Sequence, residues 1–117
     1  MLFRSIHRIL IALPPTQEHR IQGYGGLVPS RYHESYLIVE PDDKFHGICT
    51  MMKHWQKDME DVVVFGDGRN DVSMFRQAAF SIAMGNGVAE AKQQADFVTK
   101  RSDEDGLAYA LKHFGWI

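Results

Sequence analysis

From residue 36 onward, the chain alternates short apolar runs with stretches whose apolar residues return every three or four positions. Tyr36, Leu37, Ile38 and Val39 form a partly β-branched run that Pro41 stops, which predicts a strand. Ile48, Met51, Met52, Trp55 and Met59 then recur at helical spacing, with one apolar face expected to turn toward a sheet. Residues 62–65 (Val, Val, Val, Phe) are continuously apolar and end at Gly66, the pattern of a strand buried on both faces. Val72, Phe75 and Ala79 restart the helical period, and residues 80–84 form the next strand, closed by Gly85, Asn86 and Gly87. Val88, Ala91 and Ala95 mark a short helix, and Phe97, Val98 and Thr99 a short strand. Leu107, Ala110, Leu111 and Phe114 mark a last helix that stops at Gly115. This order predicts crossover connections and an α/β fold with a mostly parallel sheet flanked by helices.

The first 35 residues read differently. Pro14, Pro15, Gly23, Tyr24, Gly25, Gly26 and Pro29 are turn punctuation. Leu2, Ile6, Ile9, Leu10 and Leu13 fit a helix, while residues 9–13 taken alone also fit a strand. Charge divides at the same place: residues 1–35 hold four Lys/Arg, two Asp/Glu and three histidines, and residues 36–117 hold nine Lys/Arg against thirteen Asp/Glu. The expectation is an irregular, slightly basic lead over 1–35 and a regular, acidic body over 36–117.

Composition narrows the function classes. With 117 residues, 44% hydrophobic, 24% charged and a net charge of −2, the chain is in the range of one small globular domain. A general nucleic-acid binder would carry a basic excess, so no nucleic-acid partner is expected. Cys49 is the only cysteine, which excludes an internal disulfide and a cysteine-built zinc cluster. A reducing, cytoplasmic location is the simplest expectation. No apolar run approaches the length of a membrane span, and no small-residue cleavage site follows the amino-terminal arginines, so neither a membrane partner nor a signal peptide is expected. The six histidines lack metal-ligand spacing and read as filler. Gly23 to Gly26 lack the strand-before, helix-after context of a dinucleotide loop.

Parallel sheets place their chemistry beyond the carboxyl ends of strands. That rule points to Gly66, Asp67, Gly68, Arg69, Asn70 and Asp71, between the most apolar strand and the next helix. Asp67 and Asp71 lie four residues apart across the turn, so both carboxylates can face one point. Hard oxygen donors in such small number suit magnesium, which keeps several waters. The alternative is that Asn70 or Asp71 caps the helix and Asp67 solvates a turn. A calcium EF-hand loop is excluded. Counted from Asp67, its sixth and twelfth positions are Val72 and Ala78, where Gly and Glu are needed.

The blocks Gly66-Asp67-Gly68-Arg69-Asn70-Asp71-Val72-Ser73-Met74-Phe75 and Ser81-Ile82-Ala83-Met84-Gly85-Asn86-Gly87 resemble the fourth motif region of haloacid dehalogenase-like hydrolases, nearest to the Cof-type sugar-phosphate phosphatases. Ala95-Asp96-Phe97-Val98-Thr99 and Asp103-Glu104-Asp105-Gly106-Leu107 are similar to that family's carboxyl-terminal end. The resemblance implies a partial doubly wound sheet over 36–117, the C-terminal half of the family core, with residues 1–35 a remnant of its cap domain. It implies a magnesium-dependent phosphoryl-transfer site, with Asp67 and Asp71 holding the metal directly or through water and Asn70 in the second shell or at the phosphate. A lysine ahead of the preceding helix would neutralise phosphate charge, a contribution expected of a cation placed where phosphoryl oxygens gain charge. Lys44, in Lys44-Phe45-His46-Gly47-Ile48, matches that position, and His46 beside Gly47 is the rival register.

The family's nucleophile is the first aspartate of an Asp-x-Asp motif followed by Gly-Thr, and this sequence has none. Asp42 and Asp43 are adjacent and follow Pro41. The expectation is therefore a truncated phosphatase, inactive alone and weak for magnesium, that would act on a phosphorylated small molecule only if completed. The alternatives are an active hydrolase completed by another chain, or a non-enzymatic interaction module. Without the nucleophile strand, the strand over 62–65 would have an open edge, which a homodimer or a partner chain is expected to cover.

Overall fold

The computed structural model describes residues 8–23, 27–40 and 44–117. The readings placed on Leu2 and Ile6, on Tyr24, Gly25 and Gly26, and on Pro41, Asp42 and Asp43 lie outside the described residues. The chain separates into two compact units, Met1–Asp42 and Asp43–Ile117.

The first unit holds an antiparallel sheet of β1 (Ile9–Ile11), β2 (Val28–His33) and β3 (Tyr36–Glu40), ordered β1-β3-β2. Of the two readings of the lead, the strand reading of residues 9–13 is the one formed, over Ile9–Ile11. The run at 36–39 is a strand too, but it joins this sheet and not a parallel one. The reason is local: Glu34 and Ser35 alone connect β2 to β3, and so short a connection permits only antiparallel pairing. β3 is central, pairing Ile9 with Val39 on one side and Pro29 with Val39 on the other. Its alternation buries Leu37 and Val39 and leaves Tyr36, Ile38 and Glu40 half-buried. Arg31 ties the unit's irregular parts together. It donates to the Glu18 carboxylate through Nε and Nη2, and through Nη1 to the carbonyls of Leu13, His33 and Glu34.

The second unit has the predicted alternation: α1 (Lys44–Trp55), β4 (Val63–Gly66), α2 (Val72–Phe75), β5 (Phe80–Ala83), α3 (Ala89–Gln94), β6 (Phe97–Val98) and α4 (Gly106–His113). The strands are parallel in the order β4-β5-β6, with Phe65 opposite Ile82 and Ile82 opposite Phe97. This is an α/β fold with a parallel sheet flanked by helices, a partial doubly wound arrangement. Val62, Val64, Met74, Phe75, Ala83 and Ala91 form the buried core. Complete burial of a side chain such as that of Phe75 stabilises by roughly 1.5–3 kcal/mol, which is why these short strands hold without long ladders.

The apolar stripe of α1 is only half in the core. Ile48, Met52 and Met59 pack against it, whereas Met51 is 49% and Trp55 57% exposed. The helix ends at Trp55 because Gln56 takes a left-handed φ of 54°, so Met59 reaches the core from a separate 3-10 turn. Cys49 is a half-buried free thiol. At the start of β5, the Asp96 carboxylate accepts from the backbone N–H and hydroxyl of Ser81, while the Ser81 hydroxyl accepts from the Asp96 N–H. That reciprocal bond pins the two-residue β6 to its neighbour. Among the described residues, no helix is long and apolar enough to cross a membrane.

Candidate functional site

Because β4, β5 and β6 are parallel, the loops that follow them open at one end of the sheet. Helix α1 precedes β4 and returns antiparallel to it, which brings its first residue, Lys44, to that same end. There the Lys44 ammonium is ion-paired with Oδ1 of Asp71, 27 residues further along the chain.

Asp71 closes a single 3-10 turn, Arg69–Asp71, and leads directly into α2. Its second oxygen, Oδ2, accepts from the backbone N–H groups of Asp67 and Gly68, each at 2.9 Å. The side chain is 7% exposed. Burial pushes its carboxyl upward, but the Lys44 ammonium and the Gly68 and Asp67 amides outweigh that effect and hold it below the ordinary value of 3.8. Gly66 makes this geometry fit. A Cβ there would lie 2.6 Å from Cβ and Cγ of Asp71, so any larger residue would displace the carboxylate.

Asp67 is the complement. It leaves the tip of β4 exposed, and its backbone is held while its carboxylate has no partner among the described residues. Its N–H goes to Asp71 and its carbonyl accepts from the Val88 N–H at 2.8 Å. Asn70 is half-buried in the middle of the 3-10 turn. His46 lies exposed on α1, and its backbone carbonyl accepts from the Thr50 hydroxyl. The structure thus brings Lys44, Asp67, Asn70 and Asp71 to one rim, and of the two rival cations it is Lys44 that reaches Asp71.

The donor set fits a hydrated magnesium ion with few protein ligands: one open carboxylate at Asp67, and a second at Asp71 whose charge Lys44 already balances. No group of three or more His, Cys, Asp or Glu suited to a metal exists among the described residues. The rim's other support was invisible to residue-type reasoning, because it is backbone to backbone. Met84 N–H donates to Gly66 O at 2.9 Å, and Gly85 N–H to Lys100 O at 3.0 Å, which joins the three loops in series. The glycines of Gly85-Asn86-Gly87 are its only sign in the sequence.

Comparison with known proteins follows the same residues. A family model described as haloacid dehalogenase-like hydrolase matches residues 26–111, which include every residue of this rim. This chain belongs to that family. YkrA of Bacillus subtilis is 37% identical over 116 residues, covering 97% of this chain and 45% of the relative. The 5-amino-6-(5-phospho-D-ribitylamino)uracil phosphatase YbjI of Escherichia coli is 42% identical over 81 residues, covering 66% of this chain and 30% of the relative. Among solved structures, the HAD subclass IIB sugar phosphatase BT4131 superposes with a TM-score of 0.84 at 32% identity, over 97% of this chain and 45% of that one. The chain therefore spans less than half the length of these haloacid dehalogenase-like relatives.

Proposed function

We propose that these 117 residues are the carboxyl-terminal part of a Cof-type haloacid dehalogenase-like phosphatase. They carry the magnesium side of a phosphoryl-transfer site and lack the covalent nucleophile. The observation that carries this reading is the pairing of the exposed Lys44 ammonium with the buried carboxylate of Asp71, beside the open carboxylate of Asp67, at the carboxyl end of a parallel sheet. In this reading Asp67 is the direct metal ligand. Asp71 acts through water and holds Lys44, whose charge neutralises phosphoryl oxygens, and Asn70 orders the phosphate. Magnesium, when bound, supplies electrostatic stabilisation of the transferring phosphoryl group. With so few carboxylates on a strongly hydrated ion, its binding is weak.

The boundary expected at residue 35 moves to the limit between the two units, because β3 pairs within the first: Met1–Asp42 corresponds to the end of the cap and Asp43–Ile117 to the core. The substrate is a small phosphorylated molecule, engaged only when the rest of the fold is supplied. Two relatives carry names that point the same way, a phosphoribitylaminouracil phosphatase and a sugar phosphatase. Among the described residues β4 is an edge strand, and the reading gives that edge to a second copy or to a partner chain. Sedimentation at micromolar concentration should then show a dimer, and a concentration-independent monomer would remove the homodimer.

The central test is hydrolysis of a generic aryl phosphate with magnesium present. The purified 117-residue chain should show no turnover above buffer, because positioned charge without the nucleophile offers no covalent route. Turnover that survives further purification and disappears in Asp67→Ala would overturn the reading.

A further inference from the structure

The carboxylate of Asp67 has no partner among the described residues, but its backbone is held on three sides. Its N–H donates to Asp71, its carbonyl accepts from Val88, and its Cα lies against Gly87. On that last side a side chain would not fit. A Cβ built on Gly87 would stand 3.0 Å from Asp67 O, 3.1 Å from Asp67 Cα and 2.9 Å from Met84 O. These neighbours are backbone atoms, which cannot rotate away as a side-chain tip can. Gly87 is itself buried, and its N–H returns to Met84 O at 2.8 Å, closing the turn after β5.

We propose that Gly87 is the positioning residue of Asp67: the bare Cα of the β5 loop is the stop against which the β4 tip is set. The proposal rests on the reading of Asp67 as a magnesium ligand. Its physical basis is the steepness of contact repulsion. A methyl group at 87 moves the Asp67 backbone by tenths of an ångström and strains the Val88-to-Asp67 hydrogen bond. The same methyl presses on Met84 O, so part of the strain is taken up within the β5 loop. Of the residues a methyl at 87 would meet, Asp67 is the one that belongs to the proposed metal site, so the effect on magnesium passes through Asp67. A second anchor holds the turn itself, which is bonded to the β6 loop through Gly85 N–H and Lys100 O, and through Asn86 Oδ1, which accepts from the Ser102 N–H.

The experiment compares the full 117-residue chain with Gly87→Ala by magnesium titration, followed by amide NMR. In the wild type, the amides of residues 66–71 should shift saturably. In Gly87→Ala the metal-free Asp67 and Gly68 amides should be displaced, those of β6 and α4 unmoved, and the magnesium affinity weaker by about ten-fold, the usual scale for supports of a ligand. A folded Gly87→Ala chain that binds magnesium as the wild type does would overturn the proposal, even if its thermal midpoint fell. A wild type without magnesium shifts would overturn the metal reading instead. Positioning would then be decided by the metal-free displacement at Asp67, whose absence overturns it. If Gly87→Ala fails to fold, exchange of the wild-type Val88 amide decides: saturating magnesium should slow it and leave α4 amides unchanged, and an equal rate with and without the metal would overturn the proposal.

Discussion

The loops that leave β4 and β6 are built on one local plan, yet they have become different things. After β4, the 3-10 turn Arg69–Asp71 ends in an acid whose carboxylate accepts the backbone N–H of Gly68, three residues earlier. After β6, the 3-10 turn Ser102–Glu104 also ends in an acid, and Glu104 accepts the N–H of Arg101 at 3.3 Å, again three residues earlier. Each loop has an Asp paired with a cation. Asp71 is almost buried, and its cation comes from 27 residues away. Asp103 is exposed, and its partner Arg101 is two residues away at 2.9 Å. In both, the cation holds the carboxyl below its ordinary range. A local capping pattern thus yields a solvated turn by default. It becomes a candidate site where the fold buries it and delivers a distant lysine.

The sharpest way to break that comparison is to delete the two acids separately. Asp71→Ala orphans two amides and leaves the Lys44 ammonium without its partner, so it should cost about 1–3 kcal/mol in urea unfolding. Glu104→Ala, at an exposed turn, should stay within about 0.5 kcal/mol. Equal losses would show that burial does not separate the two turns.

Acid unfolding gives the next effect. A carboxyl depressed in the folded state stabilises fully above its unfolded value, and the stabilisation is lost as pH falls through the folded value. Stability should therefore be level near neutrality and decline below the ordinary 3.8 of Asp71. In Asp71→Ala the acid limb of that curve should be shallower. An unchanged limb would place the acid sensitivity elsewhere.

A smaller effect sorts the two rival cations. Lys44→Met should raise the pH at which the Asp71 carboxyl titrates, followed by its side-chain carbonyl carbon in NMR. His46→Ala should leave that titration where it is. A shift with His46→Ala alone would transfer the role to the histidine.

Smallest is the response to salt. Raising ionic strength from low values to about 1 M, where the Debye length is near 3 Å, should erase what Arg101–Asp103 contributes. The difference in stability between wild type and Arg101→Ala should vanish there, whereas most of the Asp71→Ala loss should persist.

Legibility in the sequence followed burial and period. The strand at 62–65 and the strand beginning at Phe80 were readable because their apolar residues must be removed from water; the last helix was readable from its period alone, since Ala110 is buried but Leu107 is 51% exposed. The Gly66 to Asp71 turn was readable because a parallel strand's carboxyl end is where side chains converge. Met51 and Trp55 misled, since a helical stripe reports which side is apolar and not how much of that side a neighbour covers. The run at Tyr36 to Val39 misled for another reason. Its residues suit either kind of sheet, and the two-residue turn at Glu34 and Ser35 decided for antiparallel.

The amino-acid sequence by itself determined the alternating elements, the acidic turn and the absence of an Asp-x-Asp followed by Gly-Thr, because each is a property of residue type and spacing. Only the tertiary structure decided that Lys44 meets Asp71, that Asp67 keeps an open carboxylate, and that the β5 loop braces it. Those facts depend on which backbone groups remain unpaired at the ends of neighbouring strands. Spacing along one chain does not encode that, because the partners come from separate crossovers whose relative position is set when the core closes.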